Sequence, residues 1–268
     1  IRQTERAQRG EKGAVTPLAH AGTLEFARLS EAVAALARTL ENRADYIRDF
    51  AAHVSHEFKT PLTAMQGAVE LLREHGAGMT AEERRRFLDN LSANTERLDR
   101  LVRRLLELAR ADMLRPGGEV TRIGPVLARV GERYRGLGLE VSCQCDDEGV
   151  SVAMAGETFE SIVANLLENA RQHGGAGMHV RMTAVPAADA PGYLDITVAD
   201  DGPGISPANT GRVFEPFFTT ARDRGGTGLG LAVVRSLVEA HGGRVELRPS
   251  ERGAMFVLRL PAAGGRQA

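Results

Sequence analysis

A helical half followed by an α/β half is the fold class that this sequence predicts. Apolar residues with heptad spacing recur through about residues 24–108, the run Pro116-Gly117-Gly118 breaks that pattern, and strand-like and helix-like segments then alternate to about residue 260. At 268 residues there is room for two domains, and 43% hydrophobic with 26% charged residues is the composition of a soluble globular protein. A net charge of −1 gives no electrostatic case for nucleic acid or an anionic membrane. The absence of Trp and an aromatic content of 4% point to an aliphatic, helix-rich core. Cys143 and Cys145, two residues apart on an expected strand, are poorly placed to bond each other and are read as reduced and structural. No run of 18 apolar residues and no secretory signal at Ile1 are present. The chain lacks an initiator Met and is expected to be a piece of something longer.

The helical half is expected to start after a polar, irregular stretch holding Gly10, Gly13 and Pro17. From Leu24 the apolar residues Phe26, Leu29, Val33, Leu36 and Leu40 keep helical spacing, and the helix is expected to continue through Tyr46 and Phe50 to a stop near His75-Gly76-Ala77-Gly78. Within it Phe58, Leu62, Met65, Val69 and Leu72 step by four and three, a heptad seam. Thr80 with Glu83 three residues on forms a capping box for a second helix. Its seam is Phe87, Leu91, Asn94, Leu98, Leu101, Leu105 and Leu108, with the polar Asn94 suited to fixing register. Two antiparallel helices cannot bury such seams alone, so a second copy is expected to complete a four-helix bundle in a homodimer.

One octet in the first helix carries chemistry: Ser55-His56-Glu57-Phe58-Lys59-Thr60-Pro61-Leu62. At about 100° per residue His56 lies about 200° from Phe58 and about 40° from Thr60. The imidazole is therefore expected to face solvent, with the Thr60 hydroxyl on its own face and Glu57 beside it. A neutral imidazole is a nucleophile near neutral pH, and a neighbouring carboxylate can orient it or take its proton. Pro61 removes a helical hydrogen bond just after this site, which favours local bending. Taken alone, a surface histidine on a helix is as often merely solvated.

In the second half, helices are expected over about 122–135, 156–173 and 229–241, and strands over about 138–145, 149–154, 178–185, 193–200, 243–248 and 254–260. The last two strands flank a hairpin turn at Ser250-Glu251-Arg252-Gly253. This order predicts a sandwich with helices on one face of a sheet. Four motifs stand out. Asn165 and Asn169, four apart, share one face of the middle helix, where amides can ligate a hard cation or donate to phosphate. Asp200-Asp201-Gly202-Pro203-Gly204-Ile205 puts a carboxylate and a tight turn at a strand end. Phe214-Glu215-Pro216-Phe217-Phe218 concentrates aromatics in a loop, and Gly225-Gly226-Thr227-Gly228-Leu229-Gly230-Leu231 offers backbone N–H groups at a helix start. The glycine run has neither the Walker A lysine nor the strand that opens a dinucleotide-binding fingerprint. Each motif alone has an ordinary structural explanation.

Together and in this order, the motifs closely resemble sensor histidine kinases. The octet resembles their H-box, the four later motifs resemble the N, G1, F and G2 boxes of their ATP-binding domain, and Gly22-Thr23-Leu24-Glu25-Phe26 resembles the second half of a HAMP linker. The resemblance implies three parts: a linker and HAMP-like helix over 1–45, a dimerisation and phosphotransfer hairpin over 46–115, and an α/β-sandwich ATP-binding domain of the histidine kinase/gyrase/chaperone type over 119–268. It further implies ATP- and Mg²⁺-dependent phosphorylation of His56, with Glu57 as orienter or base and Thr60 serving a phosphatase reaction. Asn165 would be the Mg²⁺ ligand. The nucleotide would meet Asn169, Arg171, Gln172, His173, Asp200, Gly202, Gly204, Ile205, Phe217, Gly226, Thr227, Gly228, Leu229 and Gly230, under a lid of about 214–228. The partners implied are a second copy and the receiver domain of a response regulator, with no nucleic acid. The setting implied is the cytoplasmic side of a bacterial inner membrane, below a sensor region absent from this chain. In one departure, Gln172 stands where the family often has Lys or Arg, and Arg171, Arg222 or Arg224 could compensate. The gyrase, mismatch-repair and chaperone ATPases that share the nucleotide fold lack the octet and the hairpin. A non-catalytic dimeric scaffold is disfavoured by the intact Asn165, Asp200 and glycine run.

Overall fold

The computed structural model describes residues 24–113, 117–145, 150–174, 177–221 and 226–263. Gly10, Gly13, Pro17, Gly22, Thr23, Pro116, Arg222, Arg224 and Gly225 lie outside the described residues. The chain divides into two compact units, Ile1–Ala64 and Met65–Ala268, and the boundary falls inside the first helix, α1 (Leu24–His75).

In the first unit the apolar stripe of α1 is open: Leu29, Val33, Leu36 and Leu40 are between 48% and 60% exposed. Pro61 lies within the helix and has no N–H, so the Glu57 carbonyl loses its usual partner four residues on. The expected seam is only partly covered, with Leu62 and Val69 43% and 44% exposed while Glu57, Pro61 and Ala68 are buried. The buried positions are thus stepped back from the predicted seam.

In the second unit the end of α1 turns through residues 76–80 into α2 (Ala81–Met113). The capping box forms: the Thr80 N–H donates to Glu83 Oε2 at 2.8 Å, and the Glu83 N–H donates to Thr80 Oγ1 at 3.2 Å. The Thr80 N–H and the Thr80 hydroxyl, which also donates to Glu83 Oε2 at 2.8 Å, hold the Glu83 carboxyl below the usual carboxylate range. The Thr95 hydroxyl reaches the Met65 sulfur across the hairpin at 3.5 Å. Leu101 and Leu108 of the predicted seam are buried and its other five members half-buried. The Asn94 amide donates back to the Asn90 carbonyl at 2.8 Å, within its own helix.

The remainder is the sandwich. Helices α3 (Ile123–Arg135), α4 (Gly156–His173) and α5 (Gly230–Ala240) accompany a five-stranded sheet of β2 (Glu140–Cys145), β4 (His179–Pro186), β5 (Tyr193–Asp200), β7 (Met255–Pro261) and β6 (Arg244–Arg248), in that spatial order. The first pair is parallel and the rest antiparallel. Alternation sorts the strands: Val180, Met182, Ala184, Leu194, Ile196, Phe256, Leu258 and Leu260 are buried along with Phe159, Ile162, Val163, Leu166 and Leu167 of α4. A two-residue ladder of β1 (Thr121–Arg122) with β3 (Ser151–Val152), too short to signal by periodicity, closes the start of α4. Arg259 sits opposite Asp195 in register and holds both carboxylate oxygens at 2.7 and 2.8 Å, which satisfies a buried cation in the sheet. Both cysteines are free, and burial pushes the Cys143 thiol up. No helix of the described residues is long and apolar enough to cross a membrane.

Phe159 is fully buried where α4 meets the sheet. Phe159→Ala is expected to cost about 3–5 kcal/mol in urea unfolding, against less than about 0.5 kcal/mol for the exposed Leu137→Ala. Equal losses would contradict the assignment of α4 to the core.

Candidate nucleotide site

Helix α4 has two faces with different tasks. Its apolar face enters the core, and the opposite face, carrying Ser161, Asn165, Glu168, Asn169 and Gln172, lines a cavity of about 710 Å³. Other parts of that wall come from Arg100, Arg103, Arg104 and Glu107 of α2, Arg133 and Tyr134 of α3, and Thr227, Gly228, Gly230 and Leu231. A second cavity of about 260 Å³ lies against the C-terminal end of α4 and is lined by Asp200, Pro203, Gly204, Ile205, Ser206, Asn209 and Ala254 among others. Asn169, His173, Val213, Phe218, Thr219 and Leu231 line both, so the two cavities share a wall.

Asp200 ends β5 and is fixed by backbone. Its Oδ1 accepts the N–H groups of Gly202 at 3.0 Å and Ala254 at 3.1 Å, which leaves Oδ2 for a donor in the small cavity. The turn depends on glycine: Gly204 has φ +74°, and a Cβ on Gly253 would fall 1.8 Å from the Asp200 carbonyl oxygen. Gly204 and Ile205 line the cavity, whereas Gly202 stands behind Asp200 and supports it.

In the large cavity, Asn165 is 4% exposed and its Nδ2 donates to the Ser161 carbonyl at 2.9 Å. Its Oδ1 is buried and has no hydrogen-bond partner among the described residues. A buried amide oxygen left unpaired is costly unless a ligand completes it, and a hard cation is such a ligand. Glu168 opposes burial of its charge, yet the Arg171 guanidinium at 2.9 and 2.7 Å and the Gln172 amide at 2.8 Å outweigh that and hold its carboxyl below the usual range. Burial also pushes the Tyr134 phenol up, and its hydroxyl donates to the Ala164 carbonyl at 2.9 Å.

The glycine run meets the aromatic segment back to back. The Phe217 N–H donates to the Gly228 carbonyl at 2.9 Å, Phe217 itself has φ +66°, and a Cβ on Gly228 would meet the Phe217 carbonyl carbon at 2.4 Å. Phe217 is consequently buried as an anchor. Phe218 is the aromatic on both cavity walls, with Arg212 stacked over its ring at 4.7 Å. Gly226 and Leu229 are likewise buried supports. Gly230, the first residue of α5, lines the large cavity, and the first N–H groups of a helix have no intrahelical partner.

On α1, His56 is exposed as expected, and the Thr60 hydroxyl donates to the His56 carbonyl at 3.2 Å. Glu57 differs: it is 6% exposed, because one step of about 100° carries it off the solvent face.

Residues 46–114 match the family described as "His Kinase A (phospho-acceptor) domain", and residues 154–264 match "Histidine kinase-, DNA gyrase B-, and HSP90-like ATPase". The chain belongs to the histidine kinases. It is 33% identical over 246 residues to the probable sensor histidine kinase TcrY of Mycobacterium tuberculosis, covering 88% of this chain and 50% of that protein. It is also 33% identical over 224 residues to the two-component sensor PprA of Pseudomonas aeruginosa, covering 80% of this chain and 24% of that one. The chain thus spans half or less of the curated relatives it matches. Among solved structures, full-length histidine kinase ShkA in complex with AMPPNP superposes with a TM-score of 0.56 at 30% identity, over 82% of this chain and 47% of that one. ThkA in complex with the response regulator protein TrrA shares the fold, with a TM-score of 0.64 at 22% identity over 84% of this chain and 64% of that one.

Of the residues singled out in this histidine kinase, Asn165, Asn169, Gln172, His173, Thr227, Gly228 and Gly230 meet at the large cavity. Asn169, His173, Asp200, Gly204 and Ile205 meet at the small one. Arg171 reaches neither wall: Glu168 captures it three residues away on the same helix, so it does not replace a cation at Gln172. Sequence reasoning missed Gly253, Phe218 and the arginines of α2. The first had a signal, since a glycine closing a hairpin often marks a close backbone approach.

Because the Glu168 carboxyl is held below its ordinary value, the stability it contributes is present above that value and is lost as pH falls through the lowered one. Arg171→Gln should cost about 1 kcal/mol near neutral pH in urea unfolding, with the difference disappearing in acid. A difference independent of pH would contradict the ion pair's role.

Proposed function

We propose that this chain is the core of a sensor histidine kinase that binds ATP across the two cavities and phosphorylates His56. The observation that carries the reading is the shared wall. A pinned carboxylate suited to a purine amino group lies beside a cavity lined by amides and a helix N-terminus suited to phosphates, in one chain with an exposed histidine. Asp200 Oδ2 accepts from the adenine amino group, with Gly204 and Ile205 flanking the ring. Asn169, Gln172, His173, Thr227 and the N–H groups around Gly228 and Gly230 receive the phosphates. Asn165, through its unpaired Oδ1, is the proposed Mg²⁺ ligand; a bound Mg²⁺ would offset charge on the triphosphate.

The neutral His56 imidazole offers a ring-nitrogen lone pair to the γ-phosphorus. A P–N bond forms, the P–O bond to ADP breaks, and the remaining ring proton passes to Glu57. Transfer of this kind is governed by positioning and charge stabilisation. Thr60, now bonded to the His56 carbonyl, is the proposed water-orienting group of a phosphatase reaction. The exposed stripe at Leu29, Val33, Leu36 and Leu40, with the open Leu62 and Val69, supports a homodimer through the helical half. The phosphoryl group is proposed to move on to an aspartate of a response regulator receiver domain, in the cytoplasm below a membrane sensor region outside this chain.

Incubation with γ-labelled ATP and Mg²⁺ is expected to label the chain in a form lost in acid and kept in alkali, and His56→Gln is expected to abolish it. Undiminished label in His56→Gln, or none in the parent chain, would overturn the reading.

A further inference from the structure

We infer that Arg104 of α2 supplies a cationic contact to the nucleotide phosphates, a charge that Gln172 does not provide. The inference rests on the nucleotide reading of the two cavities. Arg104 lines the large cavity with its side chain 23% exposed. Its place is read from Gly230: a Cβ there would lie 3.8 Å from Arg104 Nη1 and 3.3 Å from the unpaired Asn165 Oδ1. The guanidinium therefore stands beside both the glycine run and the orphaned amide. Its charge is also felt by Glu168 on α4 and Tyr134 on α3, which face the same space.

Of the arginines lining the cavity, Arg100 and Arg104 have no acid within hydrogen-bond reach among the described residues, Arg100 with Glu96 Oε2 at 3.8 Å, and of these two Arg104 is the one beside Gly230. Arg133 is held by Glu160 at 3.0 Å, Arg103 by Asp99 at 2.8 Å, and Arg171 by Glu168. Arg104 has Glu107 Oε2 at 3.8 Å, beyond hydrogen-bond reach, and that oxygen has no hydrogen-bond partner among the described residues. A half-buried guanidinium without a close acid gains most from an incoming phosphate, which its planar fork can hold through two donors. Gln172, by contrast, is neutral and donates to Glu168. The phosphate site thereby takes its cation from the helical hairpin rather than from the sandwich.

The test compares ATP with Mg²⁺ against adenosine, binding to the whole chain followed by calorimetry and ligand-observed NMR. Arg104→Gln is expected to weaken ATP by about tenfold or more while adenosine is unchanged, and Arg104→Lys is expected to restore part of the loss. ATP affinity within about twofold of the parent chain in Arg104→Gln, or equal weakening of ATP and adenosine, would overturn the inference. Binding of neither ligand to the parent chain would instead overturn the nucleotide reading on which it rests.

Discussion

The site depends on how Asp200 is held. One carboxylate oxygen takes the N–H groups of Gly202 and Ala254, the first from its own turn and the second from the start of β7. The first closes the turn after β5 and the second ties it to the β6–β7 hairpin, and Asp200 and Ala254 both line the small cavity. The approach is possible only because residue 253 lacks a side chain, since a Cβ there would overlap the Asp200 carbonyl. A carboxylate pinned on one oxygen has its other oxygen aimed in advance, so little conformational entropy remains to be lost when a donor arrives.

Helix α4 transmits that order to the rest of the site. Phe159, Ile162, Val163, Leu166 and Leu167 lock it against the sheet, and the same helix then presents Asn165, Asn169 and Gln172 at fixed spacing. Hydrophobic burial on one face thus positions polar chemistry on the other. The Glu168–Arg171 pair lies along the same helix and keeps Arg171 off the cavity wall.

Much of this was legible in the sequence because the relevant forces are local. The capping box at Thr80 and Glu83, the alternating strands β4, β5 and β7, and the ends of α4 all followed from spacing. What could not be read depended on which distant residues meet. The α2 seam was visible, but nothing in its spacing placed Arg104 beside Gly230, 126 residues later in sequence number. Phe217 and Phe218 are adjacent, and the left-handed backbone at Phe217 reversed which ring turns inward and which reaches the cavity. Glu57 was expected beside an exposed His56, yet one helical step sufficed to bury it. The heptad seam of α1 is also incompletely covered, with Leu62 and Val69 exposed.

The central claim is that the two cavities are one nucleotide site with Asp200 at its purine end. The most direct measurement is a crystal structure of the chain with a non-hydrolysable ATP analogue. The account predicts the adenine amino group within hydrogen-bond distance of Asp200, with the phosphates against Asn169 and the start of α5. A purine seated elsewhere, with Asp200 making no contact to it, would contradict the account.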